Sequence, residues 1–206
     1  MVRVKICGIT NAADAVYAVG QGADALGFIF AKSPRRVEPS TVKKIVGAVG
    51  PLVATIGVFV DESEERMLGI AERCGLSGIQ LHGDESAGTV HKLQKRGFRV
   101  IKAVRASKGM SIKDLNEMAP DAVLFDTSHA GKFGGTGRSF DWSYLKKMPL
   151  GVPWIVSGGL GPANVKKLLS TLHPYGVDTS SGVEKAPGIK SEKLVKGFIR
   201  NAKSAR

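Results

Sequence analysis

Short runs of β-branched and aliphatic residues alternate along the chain with stretches whose apolar positions recur at three- and four-residue spacing. The runs fall at residues 2–7, 25–30, 52–60, 78–81, 98–104, 122–126, 154–157 and 177–180. Between and after them the helical period predicts segments near 12–21, 39–49, 63–74, 85–96, 112–118, 143–148, 162–172 and 191–202. That makes about eight βα units, the number a closed parallel barrel requires, so the expected architecture is an α/β, single-domain (β/α)8 TIM barrel of parallel strands spanning residues 1–206. An open doubly wound sheet also alternates strand and helix, but it would normally use fewer strands at this length.

Strand parity and helix punctuation agree with this parse. In the first run Val2, Val4 and Ile6 would face the helices, while Arg3, Lys5 and Cys7 would face the barrel axis. Asp14, Asp84 and Glu85 put acids in first helical turns, Pro39 and Pro162 suit first helical positions, and Gly22, Gly75 and Gly97 follow expected helix ends. The longest connection runs from Thr127 to Asp141 and contains Gly131, Gly134, Gly135 and Gly137, a length that inside a compact domain usually signals function, often a lid.

Composition changes this picture little. Lys plus Arg number 30 against 18 Asp plus Glu, a formal charge of +12 that attracts polyanions and small phosphorylated substrates alike. Nucleic-acid modules interleave basic stripes with aromatics, whereas aromatics are 6% of this chain and its basic residues are dispersed, so no nucleic-acid partner is expected. No apolar stretch is long enough to span a bilayer and the N-terminus lacks a signal pattern, so neither a membrane partner nor export is expected and the location is expected to be cytoplasmic. Cys7 and Cys74 lack metal-ligand spacing and are read as reduced thiols, and His82, His91, His129 and His173 show no ligand spacing, so no metal is expected.

In such a barrel the chemistry gathers at the C-terminal strand ends. Ser157-Gly158-Gly159-Leu160 after the seventh strand and Ser180-Ser181-Gly182 after the eighth make adjacent glycine-bearing loops whose backbone N–H groups suit a phosphate. Cys7 shares a strand face with Lys5, where a cation would favour thiolate over thiol. Asp126 closes an apolar run, and shielding there would raise its pKa and let it donate a proton; Asp178 could do the same work, so position alone does not assign the acid. Arg35 and Arg36 follow Ser33-Pro34 and offer a guanidinium fork to a carboxylate, and His82, between Gln80 and Gly83, is a secondary binder.

At these residues the chain resembles the phosphoribosylanthranilate isomerase family, end to end, through Lys5-Ile6-Cys7-Gly8-Ile9-Thr10, Ser33-Pro34-Arg35, Gln80-Leu81-His82-Gly83, Phe125-Asp126-Thr127, Gly134-Gly135-Thr136-Gly137, Ser157-Gly158-Gly159-Leu160 and Asp178-Thr179-Ser180-Ser181-Gly182-Val183-Glu184. The resemblance implies an Amadori rearrangement in tryptophan biosynthesis without a cofactor. It makes Asp126 the general acid toward the furanose ring oxygen and Cys7 the general base toward the proton on sugar carbon 2. The family arginine falls on Arg35, with Arg36 one residue away, to hold the anthranilate carboxylate. Gly158, Gly159, Ser181 and Gly182 fall in the family's phosphate loops, and Asp178 is placed for sugar hydroxyls. Thr179 stands where the family more often has a β-branched apolar residue. The implied partner is a small phosphorylated substrate, and a homodimer is a further expectation. Other phosphosugar barrels would share the phosphate loops but differ in acid and base: an indole-glycerol-phosphate synthase would use a lysine acid, a ribulose-phosphate epimerase a metal and paired aspartates.

Overall fold

The computed structural model describes residues 1–105, 111–127 and 149–205. Eight parallel strands close on themselves in chain order: β1 (Arg3–Cys7), β2 (Ala25–Ile29), β3 (Ala54–Phe59), β4 (Gly78–Leu81), β5 (Arg99–Arg105), β6 (Ala122–Asp126), β7 (Trp154–Ser157) and β8 (Gly176–Thr179). Strand β8 returns to pair with β1, with Lys5 opposite Asp178. The helices are α1 (Ala12–Gly20), α2 (Pro39–Val49), α3 (Glu64–Cys74), α4 (Ala87–Lys95), α5 (Ile112–Met118), α6 (Val165–Leu169) and α7 (Glu192–Ser204). The expected helix at 143–148, and the glycine-rich connection beyond Thr127, lie outside the described residues.

Alternation along each strand divides the apolar residues into two cores. Val4, Ile6, Leu26, Phe28, Ile79, Leu81, Val123, Phe125 and Val177 point outward into the layer beneath the helices, while Ile56, Ile101, Ala103, Ala122, Leu124 and Ile155 fill the barrel interior. Each fully buried Leu, Ile or Phe contributes roughly 1.5–3 kcal/mol, so these layers hold the strand ends at fixed spacing. No helix among the described residues is long and apolar enough to cross a membrane.

Local signals set the helix ends. Asn11, Ser63, Ser86 and Ser111 accept a backbone N–H from the third residue on, an N-cap contributing about 1 kcal/mol each. Pro39 opens α2 as expected, and Gly75 closes α3 in the left-handed region at φ 68°. Two expectations fail locally. Asp84 and Glu85 both precede α4, which Ser86 caps: the N–H of Asp84 donates to Asp61, and the Glu85 side chain turns inward to Lys102 at 2.6 Å and to the backbone N–H groups of Gly83 and Asp61. The helix expected from Pro162 forms only at Val165, because Asn164 folds its side chain back over the loop, accepting from the N–H of Gly161 and donating to the carbonyl of Gly159. A further element was not foreseen: after β8 and a single 3₁₀ turn at Ser181–Val183 comes a small antiparallel hairpin, β9 (Glu184–Ala186) with β10 (Ile189–Lys190).

Candidate active site

Side chains at inward strand positions converge on the C-terminal mouth of the barrel. Cys7 ends β1 and Asp126 ends β6, each continuing the inward parity of its strand; Asp126 lies in register with Ser157 on β7 and with Arg105 on β5. Arg105 has no place in the expected site; the strand register sets it opposite Asp126.

Around Cys7 the interior is charged and dry. Lys5 Nζ donates to Asp178 Oδ1 at 2.8 Å, with both side chains almost wholly buried, and Ser157 Oγ donates to Asp178 Oδ2 at 2.7 Å. Both carboxylate oxygens of Asp178 are thus engaged as acceptors, which suits a fixed anion better than a proton donor. Burial opposes the charge on Lys5, yet Asp178 and then Cys7 hold it protonated above the ordinary lysine value. For Cys7 the balance departs from expectation: burial pushes the thiol up more strongly than Lys5 and Lys190 pull it down, because Asp178 already answers the Lys5 charge. Behind the sulfur runs the backbone of β2. A Cβ on Gly27 would lie 2.6 Å from Cys7 Sγ, so the glycine there makes room for the thiol.

On the opposite side, His82 bridges to Asp126. Gln80 Nε2 lies 2.9 Å from His82 Nδ1, and His82 Nε2 lies 3.3 Å from Asp126 Oδ2. With an amide N–H of Gln80 aimed at Nδ1, the tautomer that carries its hydrogen on Nε2 would donate it to Asp126. Any negative charge developing on Asp126 would therefore meet a donor already in place.

The two expected phosphate loops meet backbone to backbone. Gly158 and Gly159 have φ of 94° and 65°, values that favour glycine, and a Cβ on Gly182 would strike the carbonyl oxygen of Leu160. Thr179 Oγ1 donates to that same carbonyl at 2.6 Å. The hydroxyl at this position, where an apolar residue is commoner in the resembled family, thereby ties one loop to the other. Gly161 N–H is held by Asn164, which takes one backbone donor away from the start of α6.

The two arginines separate cleanly. Arg35 turns toward the mouth, its Cδ beside Gly8, and its guanidinium meets Glu184 through Nε at 2.9 Å and Nη2 at 2.7 Å. Arg36 pairs loosely with Glu38 at 3.6 Å, both of them exposed. Lys190 Nζ donates to Glu184 Oε1 at 2.8 Å and to the carbonyl of Ser180 at 3.2 Å. Despite its burial, Glu184 is held below the usual carboxylate range by Arg35 and Lys190. In the sequence Glu184 stands only within the motif that follows β8, and Lys190 carries no local signal.

Known proteins resemble the chain over its whole length. Residues 4–201 match the family model described as N-(5′phosphoribosyl)anthranilate (PRA) isomerase. An N-(5′-phosphoribosyl)anthranilate isomerase from Rubrobacter xylanophilus is 45% identical over 207 residues, covering 99% of this chain and 100% of that protein. A crystal structure of a phosphoribosyl anthranilate isomerase in complex with reduced 1-(o-carboxyphenylamino)-1-deoxyribulose 5-phosphate superposes with a TM-score of 0.83 at 39% identity, covering 98% of this chain and 99% of that one. A structure of mutually generated monomers of the dimeric Thermotoga maritima protein gives a TM-score of 0.85 at 38% identity, with coverage of 98% and 99%.

Proposed function

The chain belongs to the N-(5′-phosphoribosyl)anthranilate isomerase family, and from that premise we propose that Asp126 and Cys7 carry the two proton transfers of its reaction. The activity is the isomerisation of phosphoribosylanthranilate, an aminoaldose, to the corresponding 1-deoxyribulose 5-phosphate in tryptophan biosynthesis.

Asp126 gives its proton to the furanose ring oxygen as the bond from that oxygen to sugar carbon 1 breaks, and the anthranilate nitrogen supplies the electron pair that forms the Schiff base. His82 then donates to the new carboxylate. Cys7, as thiolate, removes the proton from carbon 2; those electrons flow to the iminium nitrogen, and the enolamine tautomerises to the ketone. Gly158, Gly159, Ser181 and Gly182 cradle the phosphate, Arg35 holds the carboxylate, and Asp178, fixed by Lys5 and Ser157, faces the sugar hydroxyls. The observation carrying this reading is the arrangement at the mouth: an inward thiol on β1, an inward carboxyl on β6, a guanidinium beside the first and two fused glycine loops between their strands. Loss of phosphoribosylanthranilate fluorescence on adding the purified protein tests substrate and reaction together, and an inert protein would sink the reading.

We also propose a homodimer. Leu52 is fully exposed just before β3, and the foot of the barrel opens a recess of about 700 Å³ floored by Ala54, Ile56, Ile101, Ala122 and Ile155 and rimmed by Arg3, Asp24, Arg99 and Asp121, where a second copy would cover the exposed leucine. Light scattering should give twice the chain mass, and Leu52→Asp should give a monomer; a parent protein that is already monomeric would remove the proposal.

A further inference from the structure

The acid and base steps give no task to the buried ion pair carried by the β9–β10 hairpin. Glu184 and Lys190 stand opposite each other on the β9–β10 hairpin, their side chains only 5% and 2% exposed. The hairpin is itself tied down, since Lys190 N–H donates to Asp14 of α1 at 2.8 Å and Thr10 Oγ1 donates to the carbonyl of Gly188. A buried ion pair is a poor source of stability compared with apolar packing of the same size, so its presence beside a binding cleft calls for another explanation.

That explanation lies in which donors it uses. A guanidinium has five N–H groups arranged along two edges. Glu184 takes the side edge of Arg35, accepting from Nε and from one hydrogen of Nη2. The other edge keeps one hydrogen on each Nη, two parallel donors at the spacing of a carboxylate. Lys190, in turn, fixes the Glu184 oxygen that receives Nε.

We infer that Glu184 and Lys190 are positioning residues that hold the Arg35 guanidinium with its outer edge free, and so set the preference for a substrate whose aromatic ring carries a carboxylate. The inference rests on the reading of Arg35 as the carboxylate binder.

Two substrates test it, prepared from ribose 5-phosphate with anthranilate or with aniline, the second lacking only the carboxylate. Glu184→Gln should raise KM for phosphoribosylanthranilate about tenfold with kcat within about twofold, while leaving KM for phosphoribosylaniline as in the parent. Arg35→Ala should show the same selectivity more strongly, and Arg35→Ala with Glu184→Gln together should be no worse than Arg35→Ala alone, because the two act through one contact. Lys190→Met, which leaves the Glu184 to Arg35 contact in place, should show a smaller selective rise of about threefold and carries the comparison if Glu184→Gln does not fold. Equal weakening toward both substrates would reduce the pair to a structural role and overturn the inference. A selective Arg35→Ala beside a silent Glu184→Gln would overturn it while sparing the carboxylate reading. An unselective Arg35→Ala would remove that reading and this inference with it.

Discussion

The two ends of the barrel use the same kinds of charged residue in opposite ways. At the foot, Arg3 meets Asp24 at 2.9 Å and Arg99 meets Asp121 at 2.7 Å, the arginines 61% and 80% exposed. Each aspartate also accepts the first inward-leading N–H of the neighbouring strand, Val4 for Asp24 and Val100 for Asp121, so the same strand clasp occurs twice, between β1 and β2 and between β5 and β6. At the mouth, Lys5 with Asp178 and Lys190 with Glu184 are dry pairs of similar length. In the single chain water screens the first set and leaves it with little energetic weight, whereas burial gives the second set strong local fields at a cost in stability. Charge at the foot trims strands; at the mouth it prepares groups for a reaction.

Substitutions at the two ends should therefore differ in kind, and the sharpest contrast comes from the proton-transfer groups. Asp126→Ala and Cys7→Ala should each lower kcat at least about a thousandfold with an unaltered melting temperature. If either variant turned over near the parental rate, the mouth would have no special status for that residue. Next in size, Arg35→Ala should raise KM roughly 10- to 100-fold, the weight of a charge-assisted pair of about 1.5–3 kcal/mol. An unchanged KM would move the carboxylate elsewhere.

A pH titration sharpens the comparison further. Since burial holds the Cys7 thiol above its ordinary value of 9.0, the thiolate fraction grows with pH throughout the neutral range, and the rate of Cys7 alkylation by iodoacetamide should keep climbing toward that value. A plateau already reached below neutrality would mean a thiolate preformed at rest. Among purely structural contacts, Thr179→Val should cost about 1–2 kcal/mol, read as a few degrees in Tm, by leaving the Leu160 carbonyl without its buried donor.

The smallest effects belong to the foot. Arg99→Ala should leave Tm near the parental value. Asp24 and Asp121 sit below the ordinary carboxyl value of 3.8 in the folded chain: burial raises them, but the backbone N–H groups and basic partners outweigh it. Their stabilisation is complete above that value and fades as the pH falls through the lower folded value. Asp121→Asn should accordingly flatten the acid side of the stability profile, and an unchanged acid midpoint would count against the clasp.

Much of the architecture was legible because its signals are local. Apolar alternation marked all eight strands to within about two residues, and Pro39 and Gly75 mark helix ends by their own chemistry. What escaped depends on distant neighbours. Glu184–Ala186 and Ile189–Lys190 are too short and too polar to show a strand period, so the hairpin is invisible until β8 delivers it beside α1. Glu85 reads as a first-turn acid, and Lys102 and Lys190 draw no reading, because their sequence surroundings say nothing of the partners that folding brings to them. Cys7 and Asp126 could be nominated from strand ends and resemblance. The preference for Arg35 over Arg36 gains a physical basis only in Glu184, 149 positions downstream.

The Lys5 to Asp178 bridge joins residues 173 apart, on the first and last strands of the barrel. No nascent chain halted before β8 can own this contact, so a half-made molecule lacks the anion that fixes the ammonium beside the sulfur. Catalytic competence is in that sense a late acquisition, arriving when the seam between the chain's two ends is sealed. Recovery of turnover after dilution from denaturant would consequently track seam closure, and would trail any signal that reports helices alone.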